Sequence, residues 1–208
     1  MNPEFLALSI IILLFSVIVH EVMHGLVARK FGDRTAERAG RLTLNPIPHI
    51  DLFGTILLPA LLIFTGSPIL FGWAKPVPVN PLNFSNLRKG ELTVSAAGIV
   101  ANFSLAIAAA LIYHFLNALP QTFPALLGAL LRFTILINLV LGIFNLLPIP
   151  PLDGSKVLLS QLPLHLAKQY QKIEPYGFLI LLLFLFTGML GIVFEVARIL
   201  TSALLGGF

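Results

Sequence analysis

The chain has 208 residues, 57% of them hydrophobic and only 11% charged. Soluble domains carry about 25% charged residues, so a mean hydropathy of +0.95 places the protein in a bilayer and excludes a large soluble domain. The net charge of +4 sits in loops without interleaved aromatics, which argues for a membrane surface and against nucleic acid, and the absence of cysteine excludes disulfides and thiolate metal sites.

Five apolar segments are predicted, against a bilayer core that needs about 20 helical residues. The first runs from about Glu4 to Ala28. It lacks the basic start and small-residue cleavage site of a signal peptide, so it is expected to be retained. The second, Ile50 to Phe71, is interrupted by Gly54, Pro59, Gly66 and Pro68. The third spans roughly Leu92 to Leu116, the fourth Phe123 to Leu147, and the fifth Tyr176 to Leu200. Between the second and third lies FGWAKPVPVNPLNF, where Pro76, Pro78 and Pro81 exclude a helix and favour extended chain. After the fourth comes NLLPIPPLDG, whose prolines end or unwind the helix. A moderately amphipathic stretch, Ser155 to Ile173, suits the interface. The expected fold is all-α and polytopic, a single domain over residues 1–208. It has four or five transmembrane helices plus a re-entrant, Gly/Pro-interrupted segment over about 50–82.

SVIVHEVMHGLV, residues 16–27, puts three ionisable groups inside the first apolar helix. His20 and His24, four residues apart, share one helical face and can grip one metal ion. Glu21 lies beside them, within reach of a water at that ion, which is the HExxH spacing of a zinc protease site. An acidic side chain at mid-bilayer costs roughly 2.5–3.5 kcal/mol on insertion scales, so it needs a partner, a wet cavity or a function. A polar helix–helix contact is the plainer alternative. Catalytic zinc takes three protein ligands and keeps an open position. Among the remaining acids, Asp33 and Glu37 read as solvated loop charges, Glu91 and Glu174 as interfacial, and Glu195 as the ion-pair partner of Arg198. Asp153 follows a helix unwound by prolines, beside Gly154, which permits an unusual backbone angle. Unwound chain at membrane depth is tolerated only where it lines protein or a cavity. Asp153 is therefore the expected third ligand, with a helix N-cap as its alternative role.

With HEVMH at 20–24 and NLLPIPPLDG at 145–154, the sequence resembles the site-2 protease family of intramembrane zinc proteases. That family pairs HExxH on one membrane helix with NxxPxxxLDG on another. SAAGIVAN (95–102) resembles its small-residue helix, and GWAKPVPVN (72–80) looks like its compact prokaryotic branch. The resemblance implies one zinc ion held by His20, His24 and Asp153, with Glu21 as general base. It further implies hydrolysis of peptide bonds in transmembrane substrates within a prokaryotic cell membrane. The sequence departs from larger members in lacking a PDZ insertion and an additional N-terminal helix.

The same reading constrains topology. Were all four segments up to Leu147 to cross once, His24 and Asp153 would lie about 30 Å apart. One segment must therefore enter and leave on the same side, and 50–82 is the candidate. All Lys and Arg except Arg132 and Arg198 then fall on one side, which the positive-inside rule makes cytoplasmic. The N-terminus is then outside and the site nearer the cytoplasmic face. Asn145, Asn102 and His49 are candidates for binding substrate or an oxyanion. Each also has a structural role to weigh: a helix C-cap for Asn145, interhelical bonding for Asn102, a backbone-bonding or interfacial position for His49. Val77 and Val79 are candidates for pairing with an extended substrate strand. Two rival readings are an HExxH protease with Glu174 or Glu195 as distal ligand, and a metal carrier or inactive adaptor that does not need Glu21.

Overall fold

The computed structural model describes residues 3–57, 60–61, 64–65, 73–120 and 123–207. Among these the regular structure is all helical, without strands. Three helices are long and apolar enough to cross a membrane: α1 (Pro3–Lys30), α3 (Leu87–Ala118) and α4 (Ala125–Leu146). At 1.5 Å per residue, 22 residues already reach about 33 Å. A short α2 (Thr35–Arg38) follows α1. After α4 come α5 (Asp153–Gln161), α6 (Leu164–Gln171), α7 (Gly177–Phe186) and α8 (Gly191–Leu204).

Helix ends follow local chemistry. The Asn86 side chain accepts the Lys89 N–H at 3.0 Å and caps α3. The α4 helix stops at Leu146, just before Pro148. Pro163 separates α5 from α6, so the amphipathic stretch is two short helices. The last apolar segment is not one straight helix: the chain bends by 71° between α7 and α8. Gly188, at φ 74°, supplies the left-handed residue at that break.

Side-chain pairs fix helix directions. Phe5 meets Phe133 and Ser16 meets Asn138, so α1 and α4 run parallel. His20 meets Asn102 while His24 meets Val94, so α3 runs antiparallel to α1. The α3 helix packs against both of the others. Its buried side is Ala97, Gly98, Ala101, Asn102, Ala106, Ala109 and Ala110, small enough for close backbone approach. Ile135, Leu139 and Val140 of α4 and Val193 and Ala197 of α8 complete the apolar core.

This arrangement brings the C-terminal ends of α1 and α4 together, as the topology argument requires. The chain between α1 and α3 starts and finishes at that end, where Ser85 N–H donates to Phe31 C=O at 2.8 Å. Within it, Lys75 N–H bonds His49 C=O at 2.9 Å and Trp73 N–H bonds Gly54 C=O at 3.1 Å. The segment expected to re-enter the membrane thus leaves and returns at one place. It begins with a π-helical turn, Leu52–Leu57, and residues 58–59, 62–63 and 66–72 of the expected re-entrant segment lie outside the described residues.

Candidate metal centre

The last turns of α1 carry His20, Glu21 and His24. The parallel course of α4 delivers the turn after it to the same height. There the chain folds tightly: Ile149 N–H bonds Leu147 C=O, Leu152 N–H bonds Ile149 C=O, and Ser155 N–H bonds Leu152 C=O. Asp153 is the first residue of α5, with Leu152 in the capping position. Gly154, which the sequence marks as permitting an unusual backbone angle, is not among the glycines with positive φ. Its role is close approach, because a Cβ there would overlap the backbone of Leu146 and Leu147. The missing side chain lets α5 start directly against the end of α4.

His20 Nε2 and His24 Nε2 lie 3.0 Å apart, and each is 3.1 Å from Asp153 Oδ2. All three residues are buried. Each ring has its other nitrogen engaged. His20 Nδ1 is 2.6 Å from Asn102 Oδ1 and His24 Nδ1 is 2.7 Å from Val94 C=O. Both partners are acceptors, so both Nδ1 atoms carry the proton and donate. The Nε2 lone pairs therefore point at one another and at Asp153 Oδ2, which has no hydrogen-bond donor among the described residues. Three electron-rich atoms held this close call for a shared cation. Tetrahedral zinc, with bonds of about 2.0–2.2 Å, sets its ligand atoms roughly 3.3 Å apart. The triangle and its nitrogen and oxygen donors fit that ion with little adjustment. These three residues are the metal-competent group among the described residues.

The Asn102 contact continues inward. Asn102 Nδ2 donates to Asn138 Oδ1 at 3.0 Å. Asn138 Nδ2 donates to Ser16 Oγ and Thr134 C=O, each at 2.9 Å, and the Ser16 hydroxyl donates to Ile12 C=O at 2.8 Å. Asn102 and Asn138 are fully buried. Their amide orientations follow from the network, which leaves Asn102 Oδ1 to receive the His20 proton. Gly98 packs so closely that a Cβ there would sit 2.5 Å from His20 Cε1 and 2.6 Å from both Nε2 atoms.

Glu21 points into a cavity of about 490 Å³ shared with His20, His24 and Asp153. Its Oε2 accepts the Val77 N–H at 2.7 Å, and its Oε1 has no hydrogen bond among the described residues. Glu91, Lys156 and Glu174 line the outer part of the same space.

The other predicted residues distribute unevenly. Asn145 lines the cavity, with one amide hydrogen spent on Leu141 C=O at 3.0 Å. Asn102 touches His20 and no open space, so it orients the His20 ring. His49 is buried, its Nε2 on Thr43 C=O at 2.9 Å, and it does not line the cavity. Val77 and Val79 both line the cavity; Val79 is half-buried, while Val77 is buried and its N–H is taken by Glu21. Of the rival ligands, Glu195 is exposed and pairs with Arg198 at 2.6 Å, and Glu174 is exposed at the cavity edge.

Sequence reasoning missed Asn138, Asp33 and Ser95. Asn138 was open to the argument applied to Glu21, that a polar group in an apolar helix needs a partner. Asp33 is no solvated loop charge: it is 1% exposed. Ser95, which the sequence places only within the small-residue stretch 95–102, lines the cavity, and its hydroxyl has no partner among the described residues. On the same helix Thr93 and Ser104 bond back to the carbonyl four residues earlier.

Comparison with known proteins identifies the family. The family model described as "Peptidase family M50" matches residues 120–188, the stretch that contains Asp153. The chain is 40% identical over 182 residues to a protein of Bacillus subtilis named "Putative zinc metalloprotease YwhC", covering 86% of this chain and 80% of that one. It is 30% identical to Rip2 of Mycolicibacterium smegmatis, of the same printed description, over 84% of this chain and 64% of that one. It is 27% identical to the zinc metalloprotease MJ0392 of Methanocaldococcus jannaschii, over 76% of this chain and 35% of that one. No solved structure matches the chain. A buried His-His-Asp triangle in a helical membrane bundle and a relative matched over most of both lengths lead to one conclusion: the chain belongs to peptidase family M50, the site-2 protease family of zinc metalloproteases.

Proposed function

We propose that this protein cleaves transmembrane substrates within the bilayer, using one zinc ion per chain held by His20, His24 and Asp153. The observation that carries the reading is the convergence of three buried lone-pair donors, about 3 Å apart, beside an unspent oxygen of Glu21. Zinc bound there supplies Lewis acidity, acidifying water and polarising a peptide carbonyl. Glu21 Oε1 accepts the proton of the attacking water, and Glu21 returns it to the leaving amine. Asn102 and Val94 hold the two imidazoles in the ligating tautomer.

A substrate helix has its amides bonded internally, so it must unwind to present an extended chain. Segment 75–80 offers one edge for it. Pro76 and Pro78 lack N–H, and the Val77 N–H is spent. The carbonyls of Pro76 and Pro78, which share one edge of the extended chain, accept no hydrogen bond among the described residues. This edge therefore suits the N–H groups of a substrate strand, with Val79 at the cavity. Apart from Arg132 and Arg198, the basic residues lie in or beside the loops at the end of the bundle that holds the site. The positive-inside rule then sets that end towards the cytoplasm and the N-terminus outside.

The decisive experiment measures bound zinc and cleavage of a transmembrane peptide by wild type and by Glu21→Gln. The expected result is zinc retained and cleavage reduced by about 10²–10⁴-fold, the usual contribution of a general base. A Glu21→Gln protein that cleaves at the wild-type rate refutes the mechanism. Retained biological activity in a variant that no longer cleaves favours a metal-binding adaptor.

A further inference from the structure

We propose that Asp33 is a positioning residue for Glu21, acting through the extended segment 75–80. The proposal rests on Glu21 being the base and goes beyond it by naming what holds that base in place.

Asp33 lies three residues beyond α1 and is buried. Its Oδ1 accepts from Thr35 N–H at 3.0 Å, from the Thr35 hydroxyl at 2.5 Å and from Asn83 Nδ2 at 2.8 Å. Its Oδ2 accepts the Asn80 N–H at 2.7 Å. One carboxylate thus ties the loop after α1 to two points far along the chain. Both oxygens are filled by neutral donors, so the charge is spent on geometry rather than on an ion pair.

The other end of the segment is tied as well. Lys75 N–H bonds His49 C=O at 2.9 Å, and Arg41 donates to Lys75 C=O at 2.6 Å. Between these ties the chain has little freedom. Pro76 and Pro78 fix their own φ, and each forces its preceding residue into extended conformation. Three residues of extended chain, about 10 Å, separate Val77 from the Asn80 tie. A shift at Asn80 is transmitted along this strut to Val77, whose N–H meets Glu21 Oε2. The Val77 side chain is pinned against α1 at Gly25, where a Cβ would come within 3.0 Å of Val77 Cγ1. With Oε2 held, the direction of Oε1 is set, and a misplacement of about 1 Å at a reacting group can cost on the order of 10²-fold in rate.

The device works through a backbone amide, so it can be removed without touching a ligand. Val77→Pro deletes the donor at a position already extended by Pro78. In purified full-length protein, bound zinc, kcat and KM for a transmembrane peptide, and amide exchange over residues 76–80 are measured. The variants are Asp33→Ala, Val77→Pro and their combination, with Glu21→Gln and the surface change Glu37→Ala as references. Asp33→Ala and Val77→Pro are each expected to lower kcat about 10–100-fold with zinc content unchanged. Asp33→Ala should speed exchange at Val77. The double variant should be no slower than Val77→Pro alone, because both changes break one strut. Glu37→Ala should match wild type. Where Asp33→Ala does not fold, Asp33→Asn replaces it: one oxygen still serves Thr35 and Asn83, but an NH₂ now opposes the Asn80 N–H. Wild-type kcat in the Asp33 variant or in Val77→Pro overturns the proposal, as does zinc loss in step with activity or full additivity of the two changes. A fully active Glu21→Gln overturns the functional reading instead, so the two failures are told apart.

Discussion

The histidines and the glutamate of one HExxH turn are held by two different kinds of structure. His20 and His24 are oriented from inside the bundle, by Asn102 and by the Val94 carbonyl of α3. Glu21, one residue away, faces the other side and is held by a backbone N–H from chain with no regular structure. Interhelical hydrogen bonds in membranes average only about 0.6 kcal/mol, so the Asn102–Asn138–Ser16 network matters for direction more than for stability. The two imidazoles are thus set by helix packing, which is stiff. Glu21 is set by a strut that lies outside the helices. Zinc affinity and turnover should therefore respond to different changes.

The largest expected effect comes from glycine on the bundle side. Gly98→Ala puts a methyl group where both imidazoles now lie, and the rings must move together. Zinc affinity should fall at least 100-fold, taking the upper end of what losing ligand-orienting contacts costs, and cleavage should be lost with it. Gly25→Ala is the counterpart on the other side, since its methyl group meets Leu42, Ala36 and Val77. It should lower cleavage while zinc stays bound. Zinc titration and peptide cleavage on the same preparations check both. Parallel losses in the two variants would erase the division between bundle and strut.

A smaller effect sharpens the bundle side alone. Asn102→Leu removes the acceptor for His20 Nδ1 and leaves Asn138 Oδ1 without its donor. Zinc affinity should drop about 10–100-fold, as for other partners of metal-bound histidines. Asn138→Leu acts one bond further away and should cost less than Asn102→Leu. Equal losses would mean that the network works by stability and not by orienting the ring.

What the sequence made legible follows from the same physics. His20, Glu21, His24 and Asp153 stood out because ionisable groups in an apolar chain are costly and few. Their need to meet also dictated that the chain between α1 and α3 return to its starting side. Asp33 was misread because its neighbours Arg29, Lys30, Arg34 and Arg38 suggest solvent. Its burial comes from Asn80 and Asn83, nearly fifty positions away, and no local pattern reports that. Asn138 was lost in an apolar run. The bend between α7 and α8 turns on the backbone of Gly188, and nothing in LFTGMLG tells which of its two glycines takes the positive φ. Gly154 was noticed for the right reason, a special backbone requirement, but the requirement is proximity and not a left-handed angle.

The smallest expected effect tests the strut side through pH. Burial alone would raise the Asp33 carboxyl, but the Thr35 hydroxyl, the Asn80 N–H, the Asn83 amide and the Thr35 N–H together hold it below its usual 3.8. A carboxyl lowered in the folded state adds stability that is complete above 3.8 and drains away as pH falls through the folded value. Asp33→Asn cannot lose a proton there. At neutral pH it should cost about 1.5–3 kcal/mol, the range for hydrogen bonds to a charged group. The stability gap between wild type and Asp33→Asn should stay constant from pH 7 to about 5 and close below pH 3.8. Other acids titrate in the same window, but they are common to both proteins and cancel in the difference. Reversible unfolding in mixed micelles across that range measures the gap. A gap that widens on acidification would mean that Asp33 is held neutral in the folded protein, and the strut would then lack its charged anchor.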